Sequence, residues 1–128
     1  MPPSRPTALE LLDVVREFLE GDVLPRLAAD VRFQCRIAIN VLATVRRELE
    51  FGAASWSRER ARLAGLLGDA DPDESLEALN RQLARQIREG AIDVDDPALL
   101  GHLRRTVEEA LAINNPKWLE SSREEGSA

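Results

Sequence analysis

Cysteine and histidine occur once each in this chain, as Cys35 and His102, and tyrosine does not occur at all. A lone thiol forms no internal disulfide, which points to a reducing compartment. One Cys and one His cannot build a zinc site from the usual ligands. Long apolar runs are missing too: none approaches the ~20 residues a membrane span needs, and the opening MPPSRPTALELL holds no apolar signal segment. A cytoplasmic location is the expectation. Aromatics are limited to three Phe and two Trp, so aliphatic side chains must fill the core. Basic residues are scattered along a chain of net charge −6, which argues against attraction to nucleic acid or an anionic membrane. Glycine-rich phosphate loops, nucleophile elbows and carboxylate–histidine helix pairs are absent.

What the sequence does have is helical periodicity. Its most apolar stretch is VRFQCRIAINVLATVRRELEF, from Val31 to Phe51. There Val31, Cys35, Ala38, Leu42, Val45 and Leu49 recur at steps of four and three, one stripe of an α-helix. Ile37, Val41 and Ile39 widen the apolar face, so this helix is expected at the centre of a bundle.

A first helix opens at Thr7 with a capping box to Glu10 and ends near Gly21. Val23 to Leu27, around Pro25, reads as a turn or a kinked extension. Asp30 is the expected cap of the central helix and Gly52 its stop. Ala53 to Ser57 is then a connector to a short helix, capped by Ser55 or Ser57 and closed by Gly68. A fourth helix carries Leu76, Leu79, Leu83 and Ile87 with its charges ordered to suit the helix dipole, and Gly90 ends it. Asp96-Pro97 is a strong start for a fifth, with Leu100, Leu103, Val107 and Leu111 as its inner stripe and Asn114-Asn115-Pro116 as its break.

The expected architecture is all-α, a single-domain bundle of four main helices plus one short helix packed around residues 31–51. Residues 1–6 form a flexible arm, 7–119 the bundle and 120–128 a disordered polar tail.

Candidate chemistry is sparse. Asp69, Asp71 and Asp73 are spaced like the first ligands of a calcium loop, but Glu74 and Asn80 stand where glycine and a bidentate glutamate belong. A solvated acidic turn is the better reading. A Cys35–His102 nucleophilic pair would need a reactive thiol, and Cys35 lies on the apolar stripe, where thiols are inert core. No catalytic or metal residue is nominated, and no cofactor.

Asn40 is the odd polar residue of the central helix. Read structurally, it is buried and hydrogen-bonded to a neighbouring element, because an unpaired buried amide costs on the order of a few kcal/mol. Read functionally, Arg36, Asn40 and Arg47 share a roughly 40° sector and hold an anionic ligand, with Arg32 alongside. Trp118 is a candidate partner anchor or a closure of the bundle's base.

The segments RPTA (5–8), Glu10-Leu11-Leu12, Val15 to Leu19, Val23-Leu24-Pro25 and Arg32-Phe33 carry a resemblance. Ala38 to Leu49, Leu79-Asn80, Ile87-Arg88, Asp96-Pro97, His102 to Arg104, Leu111 to Ile113 and Asn115-Pro116 extend it. With these the chain resembles a bacterial family of small helical proteins of unknown function. Its members are encoded beside acyl-CoA dehydrogenases and aminoglycoside-phosphotransferase-like kinases. The chain departs from the pattern at Gly21, where an acid is usual, and at Gln34-Cys35, where a histidine is expected near Phe33. The resemblance implies a non-catalytic accessory or interaction module whose partner is an acyl-CoA dehydrogenase or a phosphotransferase-like kinase. The alternatives are a bundle, or small enzyme, holding an anionic acyl-CoA-like ligand, and a helical DNA-binding regulator, against which the charge balance argues. Homo-oligomerisation through a spare apolar face is a further expectation.

Overall fold

The computed structural model describes residues 4–68, 70–71 and 73–126, leaving aside the side chains of 122–124 and 126. The described residues form helices and turns with no strand, as the sequence implies. The α-helices are α1 (Ala8–Phe18), α2 (Ala29–Leu67), α3 (Leu76–Arg88), α4 (Pro97–Asn114) and α5 (Pro116–Gly126). The chain divides into two compact units, Met1–Phe51 and Gly52–Ala128.

In the first unit the Thr7 hydroxyl accepts the Glu10 amide at 3.2 Å, which caps α1. Gly21 does not stop the chain from coiling. A π-helical turn, Leu19–Val23, and a 3₁₀ turn, Leu24–Arg26, follow α1 directly. Coiling ends at Leu27, which is extended. Pro25 stands in the first turn of the 3₁₀ segment, where its missing amide costs nothing. The Arg32 guanidinium donates to the Leu27 carbonyl at 3.0 Å and ties the end of this turn to α2. Across the helix pair, Arg46 Nε donates to Asp13 Oδ1 at 2.7 Å, and its Nη1 reaches Glu50 at 2.6 Å.

The apolar content of this unit far exceeds what two helices can cover. Ile39 is buried and Cys35 and Leu42 half-buried. Val31, Ile37, Val41, Val45 and Leu49 are exposed, as are Phe33 and Phe51. On α1, Leu11, Val14, Val15 and Phe18 are exposed too. The stretch expected at the centre of a bundle therefore has a covered side and an open side.

The second unit holds the buried cluster, made of Leu63, Leu67, Leu79, Leu83, Ile92 and Leu99, with Ala70, Leu76 and Ile87 packed against it. The Leu76–Ile87 stripe of α3 is placed as expected, with the Ser75 hydroxyl accepting the Ala78 amide at 3.1 Å as its cap. Gly90 ends the helix at φ +78°, a left-handed conformation that glycine alone adopts without strain. Asp96 caps α4 by accepting the Ala98 amide at 2.9 Å, with Pro97 in the first turn.

The structure departs from the sequence reading at further points. The stop at Gly52 and the connector 53–57 do not exist: α2 runs unbroken for 39 residues. A helical glycine costs only about 1 kcal/mol relative to alanine, and packing overrides it, for Gly52 and Ser55 are both buried. Ser55 is therefore no cap. On α4 the inner stripe is displaced: Leu99, His102 and Ile113 are buried, whereas Leu100, Leu103 and Val107 are exposed. Helix α5 carries helical backbone to Gly126, into the segment expected to be a polar tail. The arm's first three residues, Asp69, Pro72 and 127–128 lie outside the described residues.

Candidate functional site

Two polar stripes meet in the second unit. On α4, His102, Thr106 and Glu109 stand at steps of four and three, one helical face. On α2, Ser55, Arg58 and Arg62 stand at steps of three and four, another. Arg62 joins them: its Nε donates to His102 Nδ1 at 3.2 Å, its Nη1 to Glu109 Oε1 at 2.7 Å and its Nη2 to Thr106 Oγ1 at 3.2 Å. The Ser55 hydroxyl donates to Glu109 Oε2 at 2.7 Å, and Arg58 Nε lies 3.6 Å from Oε1. Thr106 Oγ1 in turn donates to the His102 carbonyl at 2.9 Å. This planar guanidinium, bonded on three nitrogens, pins α2 to α4 in one register.

The protonation states follow from the geometry. Burial would raise the Glu109 carboxyl, but hydrogen bonds from Ser55 and Arg62, with the charges of Arg62 and Arg58, outweigh it and hold the group below the ordinary range. Burial, and then the Arg62 charge, lowers His102 from 6.5, with Glu109 partly opposing. The ring is thus neutral at pH 7, and because Nδ1 accepts from Arg62, its proton sits on Nε2. Glu59 is pushed up by burial and by Glu109, against the pull of Arg62.

Beside this network lies a cleft of about 400 Å³ lined by Arg62, Gly65, Leu66, Pro97, Ala98, Gly101, His102 and Arg105. Its wall is the first two turns of α4 and its charge comes from the two arginines. A second groove, of about 560 Å³, runs along α3, past Glu74, Arg81, Arg85 and Arg88.

The residues nominated from the sequence stand elsewhere. Asn40 is exposed, so the expected buried hydrogen-bonder is corrected: its side of α2 faces solvent. Its carbonyl accepts the Thr44 hydroxyl at 3.1 Å, and Thr44 Oγ1 accepts from Arg47 Nη2 at 3.2 Å. Arg36 is exposed and Arg47 half-buried. None of the three lines either cleft. Trp118 is exposed, at 66%. Cys35 and His102 belong to different units. Asp71 accepts the Asp73 amide at 2.9 Å, a turn-forming bond. Among the described residues no group of three or more His, Cys, Asp or Glu is placed to hold a metal ion, and no helix is long and apolar enough to cross a membrane.

In the sequence the members of the Arg62 network look unrelated, Ser55 as a cap and His102 as a lone histidine. The signal that joins them is the paired polar spacing, 55/58/62 and 102/106/109, on two helices.

No curated protein and no solved structure matches this chain. A family model does, over residues 25–118, from the 3₁₀ turn to the start of α5. The chain belongs to the DUF6285 family, a domain of unknown function.

Proposed function

We propose that this protein is a non-catalytic interaction module, an accessory to an acyl-CoA dehydrogenase or a phosphotransferase-like kinase. The observation that carries the reading is the amount of large apolar side chain left at the surface, above all the half-open α2. Isolated exposed leucines are ordinary, but a contiguous apolar face on a soluble chain marks a site of association. The choice of enzymes rests on the resemblance to proteins encoded beside them. Co-expression of the chain with each candidate enzyme, followed by affinity capture in moderate salt, tests it. Stoichiometric recovery of one enzyme supports the reading. Recovery of neither refutes the assignment of partners.

A second reading is favoured by the cleft beside Arg62 and Arg105. Its ~400 Å³ falls within the ~300–1,000 Å³ usual for ligand sites. Under this reading the module holds an anionic, acyl-CoA-like ligand there, rather than at Arg36, Asn40 and Arg47. Ligand that binds the folded state must raise the melting temperature. A CoA-ester titration that leaves it unmoved at millimolar ligand removes this reading.

A further inference from the structure

We infer that the open face of the first unit is covered by a second copy of this chain. The inference rests on reading that face as an association surface, and it names the occupant.

The face has a regular shape. Phe33, Ile37, Val41, Val45 and Leu49 follow one another at steps of four, so they form a single i±4n ridge of α2. All five are exposed, by 39–65%. At 1.5 Å per residue the ridge is about 24 Å long. It centres on Val41, roughly 120° around the helix from the sector that carries Arg36, Asn40 and Arg47. Within that sector Arg36 lies farthest from the ridge's centre, about 140° from Val41.

Area and charge both favour a second copy. Seven large apolar residues on α2 of this unit, the ridge with Val31 and Phe51, are exposed, each by 39–65%. They offer on the order of 600 Å² per chain, within the roughly 600–1,000 Å² per partner of a stable interface. Each copy brings what the other lacks, since ridges of one class interdigitate with their own kind and a two-fold pairing is self-complementary. The chain's charge is also partitioned to permit it. Residues 1–51 hold seven arginines and eight carboxylates, a net charge of −1. Residues 52–128 hold ten basic and 15 acidic groups, a net charge of −5. Two first units can meet without like-charge repulsion, whereas the acidic half resists self-association.

Sedimentation equilibrium of the full chain, across a range of concentrations, tests this. The wild type is expected at twice the chain mass of 14.2 kDa. Ile37→Glu and Val41→Glu should sediment as monomers while keeping their helical circular dichroism. Arg36→Glu places a carboxylate about 140° around the helix from Val41 and should remain a dimer. Should a glutamate variant fail to fold, Ile37→Ser and Val41→Ser read the same face as a rise of at least about tenfold in Kd. A wild type that stays monomeric at hundreds of micromolar overturns the inference. So does a dimer that survives both glutamate variants, or one broken only by Val107→Glu on the open side of α4. A dimer that captures neither enzyme leaves the inference standing and fails the partner assignment. A monomer that captures one does the reverse.

Discussion

Glu109→Gln probes the polar network with almost no change in shape. The carboxylate takes Arg62 Nη1 at 2.7 Å on one oxygen and the Ser55 hydroxyl at 2.7 Å on the other. Glutamine can keep its oxygen on Arg62 and donate its amide to the Ser55 hydroxyl, which turns to accept, so the bond count survives and the carboxylate charge is lost. Replacing a charge-assisted bond to the guanidinium by a neutral one costs about 1.5–3 kcal/mol where the pair is desolvated. The side chains of Glu109 and Arg62 are 20% and 16% exposed, between the buried and surface limits, so a cost of about 2 kcal/mol is expected. For a chain of this length that lowers Tm by roughly 8 °C. Urea unfolding at pH 7 and fixed protein concentration should give the same loss with an unchanged m-value. A cycle with Arg62→Met separates this pair from general disruption, and its coupling energy should reach about 1.5 kcal/mol. Additivity within about 0.5 kcal/mol would mean the two residues do not act together, and the argument for a register-fixing network would fail.

Three further expectations follow from burial. Above pH 6.5 the His102 ring is neutral in both folded and unfolded chains, but its folded pKa is depressed. Below 6.5 the unfolded ring therefore charges first, and stability falls by at most about 1.4 kcal/mol per pH unit toward the lower folded pKa. His102→Gln should flatten that limb, and an unchanged slope from pH-dependent urea unfolding contradicts the assignment. The Glu109 term arrives only below about 4.5, and the Glu59 shift is common to both proteins. Leu63→Ala, at a site with no exposure, should cost about 2–5 kcal/mol in the same assay. Asn40→Ala should stay within about 0.5 kcal/mol of wild type, as an exposed substitution does. A loss of several kcal/mol would restore a buried role for Asn40.

The sequence is most legible where the signal is local. Thr7 and Asp96 announce helix starts because a short polar side chain followed by the right neighbours satisfies free amides by itself. The Leu76–Ile87 stripe is legible because one helix carries both its period and its burial. Gly52 looks like a stop because nothing local shows what overrides its small cost, burial in the second unit by residues far along the chain. Ser55 and His102 hide their roles for the same reason: their partners Glu109 and Arg62 lie 54 and 40 residues away. The central helix gives the sharper lesson. Periodicity places Arg36, Asn40 and Arg47 on one sector and the apolar residues on others, but it does not say which apolar side the chain itself covers. Ile39 and its neighbours are covered, and the ridge from Phe33 to Leu49 is exposed.

The most direct measurement of what covers that ridge is hydroxyl-radical footprinting of the intact chain at dilute and concentrated conditions. The account expects labelling of Phe33, Ile37 and Val41 to fall steeply as concentration rises, while Trp118, exposed in the second unit, keeps its reactivity. Equal labelling of the ridge at every concentration, with the helices intact, would contradict it.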